Sequence, residues 1–252
     1  MRVATLERRA PVLWRIATVT GVVPETAAAR TLELDVDDWP GHRAGQHVDV
    51  RLTAEDGYQA QRSYSIASAP EDGVLRITVE RLEDGEVSPY LVDEVLEGDQ
   101  LEVRGPIGGH FTWRAEQGGP LLLVAGGSGL VPLMAMLRHH AAQGSEAEVH
   151  LVLSARGAGD VLYATELDDL VSRSPSVRLH QTFTRSAPAG WTGATGRVDA
   201  ALLRAAGPPA SAAPRVFVCG PTGFVEHVAD LLVELGHAPS AIHAERFGPT
   251  GS

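Results

Sequence analysis

A single cysteine, Cys219, in 252 residues removes several chemistries at once. One thiol forms no intramolecular disulfide, no cysteine-ligated zinc finger and no four-cysteine iron-sulfur cluster, so electron chemistry in this chain needs another carrier. Positive charge is also scarce: 21 Lys and Arg face 32 Asp and Glu, a formal charge of -11. An acidic field repels phosphate backbones and anionic lipid surfaces. This argues against a nucleic-acid partner and membrane insertion, and any anionic ligand must be held by local cations or backbone amides. The ten histidines make no H-E-x-x-H and no two-histidine, one-carboxylate pattern, and G-x-S-x-G is missing, so metallohydrolase and serine-hydrolase chemistry have no support. His139 and His140, adjacent on a predicted helix, face different directions and read as surface or interface residues.

What remains is an ordinary globular composition, 44% apolar and 21% charged, with length for one large domain or two smaller ones. Arg15 interrupts the apolar stretch after Arg8-Arg9 and no small-residue cleavage pattern follows. That argues against a secretory or twin-arginine signal and for a cytoplasmic protein. Between Glu116 and Arg138 no residue is charged, which imitates a membrane span. Gly126, Gly127, Gly129 and Pro132 would break such a helix near its middle, where hydrocarbon cannot satisfy the freed backbone, so a buried strand, tight turn and helix fit better.

The first 115 or so residues read as short strands separated by turns: Arg15 to Val23, Thr31 to Val36, Gln46 to Leu52, Gln59 to Ser68, Leu75 to Arg81 and Gln100 to Gly105. Six strands at this spacing predict an antiparallel β-barrel, interrupted by one helix with Ser88 as N-cap and Pro89 in its first turn. From Leu121 the pattern alternates. Strands at 121–125, 149–153, 177–183 and 216–219 are followed by helices at 130–142, 163–172, 200–205 and 224–235, which predicts a parallel sheet with covering helices. The expected division is residues 1–116 and 117–252. Segments 186–196 and 207–214 read as loops.

Four local patterns could carry chemistry. A strand leading into Gly126-Gly127-Ser128-Gly129 and an apolar helix lets backbone amides approach a pyrophosphate. Pro132 stands where the ordinary dinucleotide fingerprint has its third glycine, so this turn alone is a weak sign. Arg62-Ser63-Tyr64-Ser65 sits on a strand, with Arg62 and Tyr64 on one face and the serines on the other. Arg can hold a phosphate, Tyr can stack on a flat ring and Ser can hydrogen-bond a ring nitrogen. Gly85-Glu86-Val87-Ser88 opens the barrel's helix, and Cys219-Gly220-Pro221-Thr222-Gly223 closes a strand and opens another helix, with Thr222 as N-cap. Taken singly, each also reads as common structural punctuation, and Cys219 as a small buried hydrophobe.

Taken in order, these segments, with Gly105-Pro106-Ile107-Gly108 and Glu245-Arg246-Phe247, resemble the ferredoxin-NADP reductase superfamily, in which a flavin-binding barrel precedes a nicotinamide-binding α/β domain. There, a proline after G-x-G is expected. The resemblance implies bound FAD, with Arg62 on its diphosphate, Tyr64 against the ring or ribityl chain, Ser65 near flavin N5 and Ser88 helping to hold the diphosphate. Ser63, Arg81, Gly85 and Val87 join that cofactor-binding set. Gly126, Gly127, Gly129 and Pro132 would admit the nicotinamide cofactor's pyrophosphate, with Cys219, Gly220 and Pro221 beside its ring. Glu245 and Phe247 would border the flavin, and Ser65, Cys219 and Glu245 are the catalytic candidates.

An acidic residue at the end of the second α/β strand would bind a free ribose hydroxyl, whereas Arg accommodates a 2'-phosphate. Ser154-Ala155-Arg156, with Arg185 after the next strand and no carboxylate before Asp160, favours NADPH, with NADH possible. The implied activity passes a hydride from NADPH to FAD and then electrons to a separate protein, such as a ferredoxin or an oxygenase or molybdenum-enzyme component. A reductase of free flavin or ferric chelates, and a non-catalytic flavin-binding subunit or sensor, are the alternatives.

Overall fold

A computed structural model describes residues 12–248, so Arg8-Arg9 lie outside the described residues. Strands β1 (Trp14–Thr26), β2 (Ala29–Val36), β3 (His47–Thr53), β4 (Gln59–Ser65), β5 (Leu75–Glu80) and β6 (Gln100–Ile107) form an antiparallel sheet in the order β4-β3-β6-β1-β2-β5. Alternate residues turn inward, so Val19, Leu32, Leu34, Val48, Val50, Ile77 and Val103 share one core. The two edge strands meet where Ile66 bridges Ile77, which curls the sheet into the expected barrel.

The α/β half follows: β7 (Leu121–Gly126), α1 (Leu130–Ala142), β8 (Val149–Gly157), α2 (Ala164–Arg173), β9 (Val177–Ser186), β10 (Ala194–Thr195), α3 (Ala200–Ala206), β11 (Arg215–Pro221), α4 (Thr222–Glu234) and β12 (Ile242–Phe247). Its sheet is parallel, in the order β10-β9-β8-β7-β11-β12. Central β7 is buried along its whole length, as a strand covered on both faces must be, which accounts for its unbroken apolar run. Among the described residues no helix is long and apolar enough to cross a membrane. From β7 the chain proceeds to β8 and β9 on one side and returns to β11 and β12 on the other. The ends of β7 and β11 are therefore the crevice where open α/β sheets bind ligands.

Several local expectations are corrected. Ser88 does not cap a helix: its Oγ accepts the Leu82 N–H at 3.1 Å, and Pro89 stands at the cap of one wide turn, Tyr90–Glu94. Thr222 is the first residue of α4 rather than its cap, and its buried Oγ1 has no partner. The segment 186–196 contains β10, and β12 was not anticipated as a strand. His139 and His140 are buried on α1 against Trp113, with ring centroids 5.6 and 6.0 Å away. They do diverge: His139 Nε2 accepts the Ala115 N–H at 3.2 Å and its Nδ1 meets Glu71 at 2.8 Å, while His140 Nε2 lies 2.9 Å from the Ala147 carbonyl.

The halves are joined by polar contacts that are specific in direction. Arg138 of α1 donates to the Ala67 carbonyl of the barrel at 2.6 Å and, in a fork, to Glu166 of α2 at 2.8 and 2.6 Å. Its guanidinium lies 4.8 Å over the Tyr163 ring, whose hydroxyl donates to Thr78 of β5. Thr78 meets Thr31 at 2.7 Å, and Glu25 accepts from the Thr31 hydroxyl and, at 3.3 Å, from the Tyr163 N–H. Arg138 has only 13% of its side chain exposed, so a lost partner leaves a largely buried charge unmatched. We expect Glu166→Ala to cost about 1–3 kcal/mol, allowing for the half-exposed carboxylate. Urea unfolding checks this, and an unchanged midpoint would contradict it.

Candidate functional site

A cleft of about 230 Å³ opens between the barrel and the ends of the α/β strands. From the barrel it is lined by Arg62, Ser63, Tyr64, Ser65, Gly85, Val87 and Ser88, and from the other half by Ser128, Val131 and Phe247. Residues more than a hundred positions apart in the chain thus share one wall. Thr78, Glu80, Leu82, Glu86 and Gly248 complete the lining. They were not singled out, although Glu86 and Ser128 stand inside motifs that were.

On β4 the alternation holds. Ser63 pairs across to Asp49, donating to its carboxylate at 2.6 Å, and Asp49 also receives Arg104. Its hydroxyl is therefore engaged outside the barrel core. Tyr64 packs against that core, and burial pushes its phenol well above its usual range. Arg62 donates to the Gln61 carbonyl at 2.7 Å and to Glu86 at 3.1 Å. Arg81 is drawn to Asp93 at 2.8 Å and is not among the lining residues.

The glycine turn after β7 packs directly on the end of β11. A Cβ on Gly129 would lie 2.1 Å from the Cys219 carbonyl oxygen, so only glycine lets the two strand ends approach so closely. Gly127 has φ of +55°, and a Cβ on Gly220 would strike Phe224. Pro132 is buried in the first turn of α1, where a missing N–H costs nothing. None of these residues lines the 230 Å³ cleft. Ser154 is buried on β8 beside Gly126, and Arg156 and Arg185 are exposed near the ends of β8 and β9. The Asp160 carboxylate lies 3.5 Å from where a Cβ on Gly157 would be, so an acid and an arginine both stand at this strand end.

Cys219 pairs in register with Glu245 of β12 and is buried. Burial, reinforced by the Glu245 carboxylate, pushes its thiol far above the usual range, so it presents a neutral S–H rather than a nucleophile. Burial also raises Glu245 to about 7, so near neutral pH it can hold or release a proton. Phe247, 37% exposed, is placed by β12 at the cleft's mouth.

The lining fits a flavin dinucleotide: Tyr64 and Phe247 offer aromatic surfaces, Arg62 a guanidinium for phosphate, and Ser65 and Ser88 hydroxyls for ring or ribityl atoms. The sequence pattern of oxidoreductase FAD-binding domains matches residues 17–113, and that of oxidoreductase NAD-binding domains matches residues 123–230. Together they show an oxidoreductase-type FAD-binding domain followed by an oxidoreductase-type NAD-binding domain. Ferredoxin–NADP reductase B of Sorangium cellulosum is 37% identical over 81% of this chain and 84% of its own length. The chain belongs to the ferredoxin-NADP reductase superfamily. It is also 35% identical, over 82% of its length, to the glycine betaine monooxygenase reductase subunit of Chromohalobacter salexigens, of which it spans 56%. The crystal structure of the Amycolatopsis cytochrome P450 reductase GcoB superposes with a TM-score of 0.84 at 28% identity, covering 99% of this chain and 74% of that one.

The Glu245 environment has a sign that can be measured. Its carboxyl keeps a proton in the folded state that the unfolded chain, near 4.5, has released. Stability from this group is present below pH 4.5 and is lost as pH rises through about 7. Glu245→Gln should therefore raise stability at pH 8 by about 1–3 kcal/mol and leave it nearly unchanged at pH 4. Thermal unfolding at the two pH values checks this, and equal shifts at both would refute it.

Proposed function

We propose that this chain passes electrons from NADPH through bound FAD to a separate redox protein, such as a ferredoxin or an oxygenase or molybdenum-enzyme component. The observation that carries the reading is the single cleft walled by Arg62, Tyr64 and Ser65 from the barrel and by Ser128, Val131 and Phe247 from the α/β half. Bound together, the two cofactors supply hydride transfer from nicotinamide to flavin and onward release of electrons. The chain's own residues place and insulate. Arg62 holds the diphosphate, helped by Ser88, and Tyr64 supports the ring or ribityl chain. Ser65 offers a hydrogen bond toward the ring's reactive edge.

On the other side, Gly126, Gly127 and Gly129 keep side chains out of the pyrophosphate's approach. Cys219 stays a neutral, small surface for the nicotinamide, and the Glu245 carboxyl stores a proton beside it. The division into a flavin half and a nicotinamide half near residues 116 and 117 belongs to the same proposal. So does a cytoplasmic setting, where a lone buried thiol stays reduced. Two relatives, one named a monooxygenase reductase subunit and the other a ferredoxin–NADP reductase, support the separate acceptor over free flavin or ferric chelates.

NADPH is assigned on Arg156, with Arg185 on the adjacent strand, as cations for a 2'-phosphate. Anaerobic NADPH should bleach the flavin of the purified protein rapidly; slow or absent bleaching would instead favour a flavin-binding subunit or sensor. Arg156→Ala should lower kcat/KM for NADPH roughly 10- to 100-fold, the worth of one charge-assisted phosphate contact, and leave NADH unchanged. Equal losses with both cofactors would remove Arg156 from this role.

A further inference from the structure

The one guanidinium offered to the flavin diphosphate is already occupied by an anion of the protein itself. Among the described residues, Arg62, Glu80 and Glu86 are the charged ones lining the flavin cleft. Arg62 Nη1 donates to the Gln61 carbonyl at 2.7 Å, which aims the group, and Nη2 meets the Glu86 carboxylate at 3.1 Å. Glu86 is in turn held by Tyr58, whose hydroxyl donates to its other oxygen at 2.8 Å. The start of β4 and the turn around Glu86 thus form a Tyr58-Glu86-Arg62 clamp at the cleft's rim. Glu86 also borders a second cleft of about 580 Å³, lined by Tyr58, Tyr90 and the Arg51–Glu102 pair. The carboxylate therefore stands between two open spaces and has somewhere to go when displaced.

Resting on the reading of Arg62 as the diphosphate ligand, we propose that Glu86 is a built-in competitor for the flavin phosphates, one that sets how tightly a phosphorylated flavin is held. Diphosphate binding exchanges one anion for another on Arg62. Once displaced, Glu86 is a like charge close to the ligand in an acidic rim, and like charges at short range oppose binding. Both side chains are about half exposed, 55% for Arg62 and 50% for Glu86, so the ion pair is weak enough to open without unfolding. The penalty applies to the phosphates alone, because the isoalloxazine ring carries no matching charge. Glu86 thereby lowers affinity for FAD and FMN without altering affinity for riboflavin.

Flavin-free protein titrated with FAD, FMN and riboflavin, followed by quenching of flavin fluorescence, tests this at low salt. Glu86→Gln keeps the shape and removes the charge, and should tighten FAD binding about three- to tenfold while leaving riboflavin unchanged. Tyr58→Phe should act in the same direction, more weakly, by freeing the carboxylate. FAD affinity unchanged or weakened in Glu86→Gln, while Arg62→Ala weakens FAD, overturns the competitor and leaves the Arg62 reading standing. FAD affinity unchanged in Arg62→Ala removes the premise itself. Tightening of riboflavin equal to that of FAD also overturns the proposal, because it would place the effect on the ring slot and not on the phosphates.

Discussion

The buried guanidinium of Arg138 ties the barrel, α1 and α2 to one another, and the cleft lies between the halves that it joins. It accepts no freedom: one nitrogen is taken by the Ala67 carbonyl of the barrel, two by Glu166 of α2, and its flat face by the Tyr163 ring. Tyr163 then reaches back to the barrel through Thr78. Because hydrogen bonds are directional where apolar contact is not, such a seam sets an orientation and not merely a proximity. The barrel and one face of the α/β sheet have separate cores, and a third cluster packs Ala29, Ala44 and Ala67 of the barrel against α1; the polar seam adds direction to that apolar contact and brings Tyr64 and Phe247 to one cleft.

That orientation decides the electrostatics of the site. Cys219, packed in the α/β core, and its register partner Glu245 are poorly hydrated, and burial favours the neutral form of each. At the cleft's rim, solvent reaches Arg62 and Glu86, and an ion pair can form and part. Glu245 and Cys219 stand behind the cleft lining in a dry setting, whereas Arg62 and Glu86 line it in a wet one. A chain with net charge -11 uses very few cations for ligand holding, and the acids around Arg62 make the identity of its partner consequential.

The family fold was legible from local patterns. Period-two alternation marked the barrel strands, apolar runs marked β7, β8 and β11, and the glycines of the β7–α1 turn lay where this turn packs on the end of β11. Elements escaped where that signal is thin. β12 is an edge strand whose Ile-His-Ala-Glu-Arg-Phe carries no apolar run, and β10 is two residues long. The buried pair His139 and His140 was misread for a related reason. A polar ring in an apolar helix gives no sign of its cover until Trp113, Glu71 and Ala115 arrive from elsewhere in the chain.

Spacing and residue type alone determined that this chain makes a barrel followed by a parallel sheet, with a glycine-rich β7–α1 turn and an Arg-Ser-Tyr-Ser strand. These are consequences of backbone sterics and of burying one side of each element, and both act over a few residues. Only tertiary structure decided which side chain faces which: that Arg62 meets Glu86, that Ser63 spends its hydroxyl on Asp49, that Arg81 turns to Asp93. Those pairings are made between strands and turns 12 to 24 residues apart, where Coulomb attraction depends on distances in space that no local pattern encodes.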